Sequence, residues 1–448
     1  MKKHSLTRFA LCVLCGASIL CMPGLSSAGW VAQTSGTTKL LMDVCFPGNV
    51  QTGYIVGCDF NIGNGPVILK TTNGGTNWLP QTPPDTMAGL WGVDFPVDAV
   101  TGYTVGGLHG ASYILKTTNG GATWVSQNPG GGNKALRRVQ FPVDAQTGYA
   151  VGGYDPSAPS GSIILKTTDG GANWVSQSSG DTLPLWGVDF PVDANTGYVV
   201  GGTIDTTLGG RTGVILKTTN GGANWATQLS GVTKMFGDVS FPVDPMTGFA
   251  AIGEGTRDSG IAGFMKTTNG GANWTWIRDS LDIASICFPV DANTGYAVGG
   301  MGPSSARIHI MKTTNGGASW PRQPPGTTVF LAGVNFPVDA RTGWVVGDSG
   351  TILKTTDGGI GVEETAGIRD QGLGIRVTAK PNPFTSFATL PGHEAERFSL
   401  YDISGRKVGT YRGDRVGQGL APGVYFLKYQ EMLKQVQHDE IVRIVKVR

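Results

Sequence analysis

Lys217-Thr218-Thr219-Asn220-Gly221-Gly222-Ala223-Asn224-Trp225 decides how this chain is read. Its core, Lys-Thr-Thr-(Asn/Asp)-Gly-Gly, recurs at Lys70, Lys116, Lys166, Lys266, Lys312 and Lys354. A second phrase, Phe-Pro leading to Thr-Gly-(aromatic), starts at Phe46, Phe95, Phe141, Phe190, Phe241, Phe288 and Phe336. The two alternate, each returning every 42 to 51 residues. A period of that length, filled with short apolar runs and glycine turns, is the pattern of propeller blades. One copy shows why. Leu185 to Phe190, Tyr198 to Gly202, Val214 to Thr218 and Trp225 to Gln228 are four strand-like runs, joined by turns at Asp193 to Gly197 and Asn220 to Gly222. The fold class read from this is all-β, a seven-bladed β-propeller.

The seventh copy is broken. Thr355-Thr356-Asp357-Gly358-Gly359 runs into Ile360-Gly361-Val362 with neither the Trp nor a fourth strand. The missing piece stands near the start, where Gly29-Trp30-Val31-Ala32-Gln33-Thr34-Ser35-Gly36 matches Asn173-Trp174-Val175-Ser176-Gln177-Ser178-Ser179-Gly180. The N-terminal strand is therefore expected to complete the last blade and close the ring, removing a free sheet edge.

The 448 residues include 71 glycines and only 15% charged residues, which suits a turn-dense extracellular β protein. Lys2 and Lys3, the apolar stretch Phe9 to Met22 and the small residues Ser26-Ser27-Ala28 read as a secretory signal peptide over residues 1–28. A lipoprotein reading with Cys21 as acceptor fits less well, because Leu20 precedes it. Setting aside Lys2, Lys3 and Arg8 leaves basic and acidic residues balanced to within one, which argues against nucleic acid as a partner. No other segment is apolar enough for a transmembrane span. Cys45, Cys58 and Cys287 remain after the leader. Cys45 and Cys58 flank a predicted hairpin and read as almost opposite each other, a candidate disulfide. Three cysteines with no paired spacing argue against a metal site, and nothing indicates a cofactor.

The Thr-Thr-Asn-Gly-Gly-Ala-Asn-Trp stretch resembles the Asp box of sialidase-like propellers. Its Asn or Asp closes an Asx-type turn and its glycines take positive φ. Thr168 to Gly171 lacks the later ligands of a calcium loop and reads as a turn. Over residues 30 to 360 the repeats resemble the photosystem II assembly-factor propellers, most closely from Trp344 to Gly359. Beyond Gly359 the period stops. Lys380-Pro381-Asn382-Pro383-Phe384, Phe398 to Val408, Gly419 to Lys428 and Ile441 to Val447 resemble, in that order, the C-terminal sorting domain of the type IX secretion system. The resemblance implies export across both membranes of a Gram-negative-type bacterium, to the cell surface or beyond. Read alone, the same residues suggest a small Ig-like β-sandwich. Glu431 to Glu440 is an insert before the last strand. The expected layout is leader 1–28, propeller 29–360, linker 361–372 and sorting domain 373–448.

The repeats allow a subtraction, since residues present in every blade are explained by the fold. Two tryptophans survive it, Trp91 and Trp186. Both stand four residues before the Phe of the Phe-Pro phrase, where the seven blades read Met42, Trp91, Arg137, Trp186, Gly237, Ala284 and Ala332. On an innermost strand these residues would ring one mouth of the central channel. Met42, Trp91, Arg137 and Trp186 are the candidate binding residues. They offer an aromatic and cationic surface for a sugar ring or an anion. The bland alternative is that the tryptophans fill the channel or cover the loops beside them. Long loops bias the face to blades two to five.

No catalytic residue is assigned. The non-repeat acids include Asp155, Asp181, Asp205, Glu254, Asp258 and Asp348, and Glu254 has no evident partner for two-carboxylate chemistry. The sialidase resemblance implies an arginine triad and a Tyr-Glu nucleophile pair, but the propeller has few arginines outside the repeats and no Arg-Ile-Pro block. The expected function is a non-catalytic exported propeller that binds a glycan or a surface protein. Two other readings stay open, a glycoside hydrolase or lyase and an assembly or scaffold factor.

Overall fold

In the computed structural model, residues 29–59, 65–84, 89–107, 111–130, 134–154, 161–203, 212–253, 262–279, 282–300 and 308–359 are described, together with 397–402, 406–412, 414–416, 418–420, 423–429 and 441–446. The chain divides into two compact units, Met1–Val362 and Glu363–Arg448. The described residues contain no helix.

The first unit is a seven-bladed β-propeller of seven four-stranded antiparallel sheets. Blade one follows β1 (Val31–Gln33) in the chain and consists of β2 (Leu40–Cys45), β3 (Gly53–Cys58), β4 (Val67–Thr71) and β5 (Leu79–Pro80), paired in that order. Five more blades repeat this meander. In blade seven, Leu331–Asn335, Gly343–Gly347 and Ile352–Thr355 are joined by β1, with Val31 opposite Lys354 and Gln33 opposite Ile352. Trp30 stands edge-on to Phe336 at 6.0 Å and 87°, the relation Trp124 has to Phe95 within blade two at 6.1 Å and 86°. The first strand of the propeller thus supplies the last tryptophan.

The cores lie between blades. Tyr54, Val56 and Ile68 of blade one pack with Leu90, Val93, Phe95, Leu115 and Trp124 of blade two, and six equivalent clusters complete the circle. The repeated phrases are the fittings of these seams. Phe95 stacks on Tyr54 at 3.8 Å, and Phe46 stacks on Trp344 across the closure at 3.6 Å. Stacks of this kind contribute about 0.5–1.5 kcal/mol each beyond area burial. The Gly before each aromatic is required by the Phe of its own blade, since a Cβ on Gly53 would lie 2.4 Å from the Phe46 ring. The Tyr54 hydroxyl donates to the Ala99 and Gly120 carbonyls of the next blade.

Each Lys-Thr-Thr lysine reaches the Asn-Gly-Gly turn of the following blade. Lys70 Nζ donates to Gly120 O at 2.6 Å, and the series ends with Lys354 Nζ on Gly74 O at 2.7 Å, back on blade one. The turn that receives it is locked from within. Thr71 Oγ1 accepts the Gly75 N–H, and Asn73 Oδ1 accepts that of Asn77. Gly74 and Gly75 have φ of 66° and 85°, the left-handed region that a side chain disfavours.

The Cys45–Cys58 disulfide is overturned. Cys45 pairs with Tyr54, while Cys58 pairs with Leu40 at the other end of the hairpin. Five residues of strand, about 16 Å, separate the two pairing positions, far beyond disulfide reach. Cys45, Cys58 and Cys287, the cysteines among the described residues, are free thiols. Burial pushes those of Cys58 and Cys287 up to about 11, which keeps them unreactive at neutral pH.

In the second unit the described strands form one antiparallel sheet, ordered Lys407–Arg412, Arg397–Asp402, Gly423–Tyr429, Ile441–Lys446. Phe398 and Leu400 are buried. The Ig-like sandwich expectation requires a second sheet, and the described residues of this unit form a single one. The Lys380 to Phe384 block, the Glu431 to Glu440 insert and the leader lie outside the described residues.

Candidate functional site

Every innermost strand carries a β-bulge at one position. In blade one the register passes from Leu41↔Gly57 to Asp43↔Val56, leaving Met42 without a partner opposite. The residue skipped in the other blades is Trp91, Arg137, Trp186, Gly237, Ala284 and Ala332. A bulge re-aims its extra residue. Here all seven turn to the channel mouth, where they line one cavity of about 220 Å³. The sequence-predicted residues Met42, Trp91, Arg137 and Trp186 are therefore brought together.

The ring is lopsided. The Arg137 guanidinium lies 3.7 Å over the Trp91 ring and 4.6 Å over that of Trp186. Each indole is anchored in its own blade, Trp91 Nε1 donating to Gly107 O and Trp186 Nε1 to Gly202 O. Arg137 is 8% exposed. A desolvated guanidinium–indole contact is worth up to about 2 kcal/mol. The stack is a rigid wall across blades two to four. Facing it, Gly237, Ala284 and Ala332 contribute almost no side chain, and Met235, Ile283 and Phe330 complete an apolar wall.

Beneath lies a feature the sequence reading missed. One residue further along, the blades read Asp43, Gly92, Arg138, Gly187, Asp238, Ser285 and Gly333. Arg138 of blade three spans the channel, with Nη1 on Asp43 Oδ2 of blade one at 2.9 Å and Nη2 on Asp238 Oδ2 of blade five at 3.0 Å. Val44 and Val93 N–H groups also bond Asp43, and Val239 N–H, Ile286 N–H and the Ser285 hydroxyl bond Asp238. The glycines make room: a Cβ on Gly92 would stand 2.9 Å from Arg137 O, and one on Gly187 3.0 Å from the Asp238 Cα. Burial pushes the Asp43 carboxyl up, against the pull of Arg138. The same subtraction that isolated the tryptophans, moved one position along, finds this triad.

Two residues further, a side chain from one blade accepts the Phe N–H of the next. Asp94 takes Phe141, Gln140 takes Phe190, Asp189 takes Phe241 and Asn335 takes Phe46. Burial pushes the Asp94 and Asp189 carboxyls up to about 7. These are structural groups, each held at an interblade seam by a backbone donor.

Among the described residues lining the cavity, Asp282 is the one carboxylate. Asp181 and Asp348 bond backbone N–H groups in their own turns. Asp155, Asp205, Glu254 and Asp258 lie outside the described residues.

No family model and no curated protein matches the chain. Solved structures match its fold. YCF48 bound to D1 peptide aligns with TM-score 0.53 at 16% identity, covering 75% of this chain and 97% of that one. YCF48 from Cyanidioschyzon merolae gives 0.51 at 18%, covering 73% and 98%. The GH74 xyloglucanase from Xanthomonas campestris gives 0.54 at 13%, covering 93% of this chain and 68% of that one. An ancestral GH74 enzyme gives 0.53 at 15%, and this chain spans 64% of its length. At these identities the likeness establishes the propeller fold alone.

Proposed function

We propose that the chain is an exported, non-catalytic binding propeller that holds a partner protein at the channel mouth. The observation that carries this reading is the Trp91–Arg137–Trp186 stack facing a wall of glycine and alanine. A fixed aromatic and cationic anchor beside an open apolar cavity is how interface hot spots are built. Arg137 covers one face of each indole and so reduces the aromatic surface open to a sugar ring, which favours a protein partner over a sugar. That YCF48 is bound to a peptide in a solved structure agrees with this choice.

The test is a peptide display selection and a glycan array on the purified chain, each repeated with Trp91→Ala/Trp186→Ala. Ligand affinity is expected to fall by at least about tenfold, the equivalent of ~1.4 kcal/mol, in a variant that keeps a cooperative thermal transition. Unchanged binding by that variant would remove the mouth from consideration.

Export rests on the C-terminal motif order. Residues 361–448 fused to a reporter are expected to carry it to the surface of a bacterium with a type IX apparatus. Retention of the fusion inside the cell would defeat this half of the reading.

A further inference from the structure

We propose that the channel mouth is a single-residue specificity pocket, which admits one large apolar side chain of the partner over blades five to seven. The inference rests on the binding reading above and names what the site accepts. Volume is the first argument. About 220 Å³ lies below the roughly 300 Å³ at which pockets for whole small molecules begin. It suits one side chain and is too small for an oligosaccharide.

The origin of the space is the second argument. Seven bulges aim seven Cβ positions at one mouth, and blades five, six and seven place Gly237, Ala284 and Ala332 there. The gap is therefore written into consecutive repeats at one position, where blades one to four carry Met42, Trp91, Arg137 and Trp186.

Lining is the third argument. Met42, Met235, Ile283, Phe330, Ala284 and Ala332 give most of the gap a lining of carbon and sulfur, with Asp282, Arg137 and Arg138 the charged residues among the described lining. Thioethers on two sides let such a wall adapt to aliphatic, thioether or aromatic guests. Most of a sugar's hydroxyls would face these six apolar residues without donors or acceptors. The Arg138–Asp43–Asp238 triad forms a floor whose groups already bond one another, so depth is fixed and a guest longer than one residue must turn away along the rim.

The experiment takes the peptides enriched on the full chain and measures each against wild type, Ala332→Trp and Ala284→Phe, with Val192→Trp on an exposed turn as control. Thermal unfolding checks that each variant is folded, and two filling variants guard against one failing. The enriched peptides are expected to share one Leu, Ile, Met or Phe. Its replacement by Ala should weaken binding about tenfold to a hundredfold, the range for losing one buried apolar side chain. Ala332→Trp or Ala284→Phe should weaken the parent peptide as much and make its Ala replacement inconsequential, while Val192→Trp changes nothing. Peptides that share only a charged residue, or that bind both filled variants undiminished, overturn the pocket and leave the binding reading standing. A glycan signal abolished by Trp91→Ala/Trp186→Ala, with no peptide enriched, also overturns it. No ligand in either screen defeats the binding reading itself.

Discussion

Arg138→Ala is expected to lower the unfolding free energy by about 3–5 kcal/mol at pH 8, the range for breaking a buried ion pair from one side. Among the described residues the guanidinium is the cation that Asp43 and Asp238 share, at 2.9 and 3.0 Å, and those carboxylates are 9% and 6% exposed. Removing it leaves two buried negative charges facing each other across the channel. The sign with pH follows. Burial already raises the Asp43 carboxyl against the pull of Arg138; without Arg138 it rises further above its unfolded value, so the folded variant binds a proton that the unfolded chain releases. Its deficit should shrink as pH falls from 8 towards 5. Arg138→Met with Asp43→Asn and Asp238→Asn should recover most of the loss, since paired neutral groups can replace a buried ion network at little cost. Denaturant titrations at the two pH values measure all of this. A loss under about 1 kcal/mol at pH 8 would mean that solvent reaches the triad and that blades one, three and five are not tied through it.

The second large effect is at the closure. Trp30→Ala removes the edge-on contacts to Tyr296 and Phe336 and the hydrogen bond to Gln323. Trp30 is only partly buried, so the expected loss is about 2–3 kcal/mol, at or below the lower end for a core tryptophan. Deleting residues 29–36 goes further. It strips β1 from Ile352–Thr355 and leaves that strand as an open edge. The truncated chain is expected to unfold over a broader transition and to associate, as light scattering would register. A synthetic peptide of residues 29–36 added in trans should narrow the transition again. A truncated chain that stays monomeric with an unchanged midpoint would show that β1 is an ornament to a ring closed by other means.

How much of this was legible varies with the physics. The repeats were, because each phrase answers one geometric need: a glycine under the Phe, a lysine onto the next turn, a Thr and Asn closing that turn. The two cysteines misled because Cys45 and Cys58 are both the last residues of their strands, and in an antiparallel hairpin those ends lie at opposite edges. The mouth residues were found by comparing blades. The triad below them was hidden by the alternation rule, which sends neighbours on a strand to opposite faces. The bulge breaks that alternation, so that positions 42 and 43, or 137 and 138, both serve the channel. Nor does a single repeat tell that residues from blades one, three and five meet. The sequence placed Arg137 between two tryptophans but not against their faces, and that contact turns the reading from sugar towards protein.

The pairing of Val31 with Lys354 also sets the order in which the molecule can be finished. Six blades are local meanders, free to assemble as each repeat leaves the ribosome or a translocation pore. The seventh waits for a strand made long before, at the greatest separation the domain offers, and such distant pairings are slow. In that interval the early strand is a spare part that fits any copy of the same slot, including one in a neighbouring molecule. Completion is then a race between closing on itself and closing on a sister chain, which makes yield of the monomer a matter of concentration and time as much as of stability.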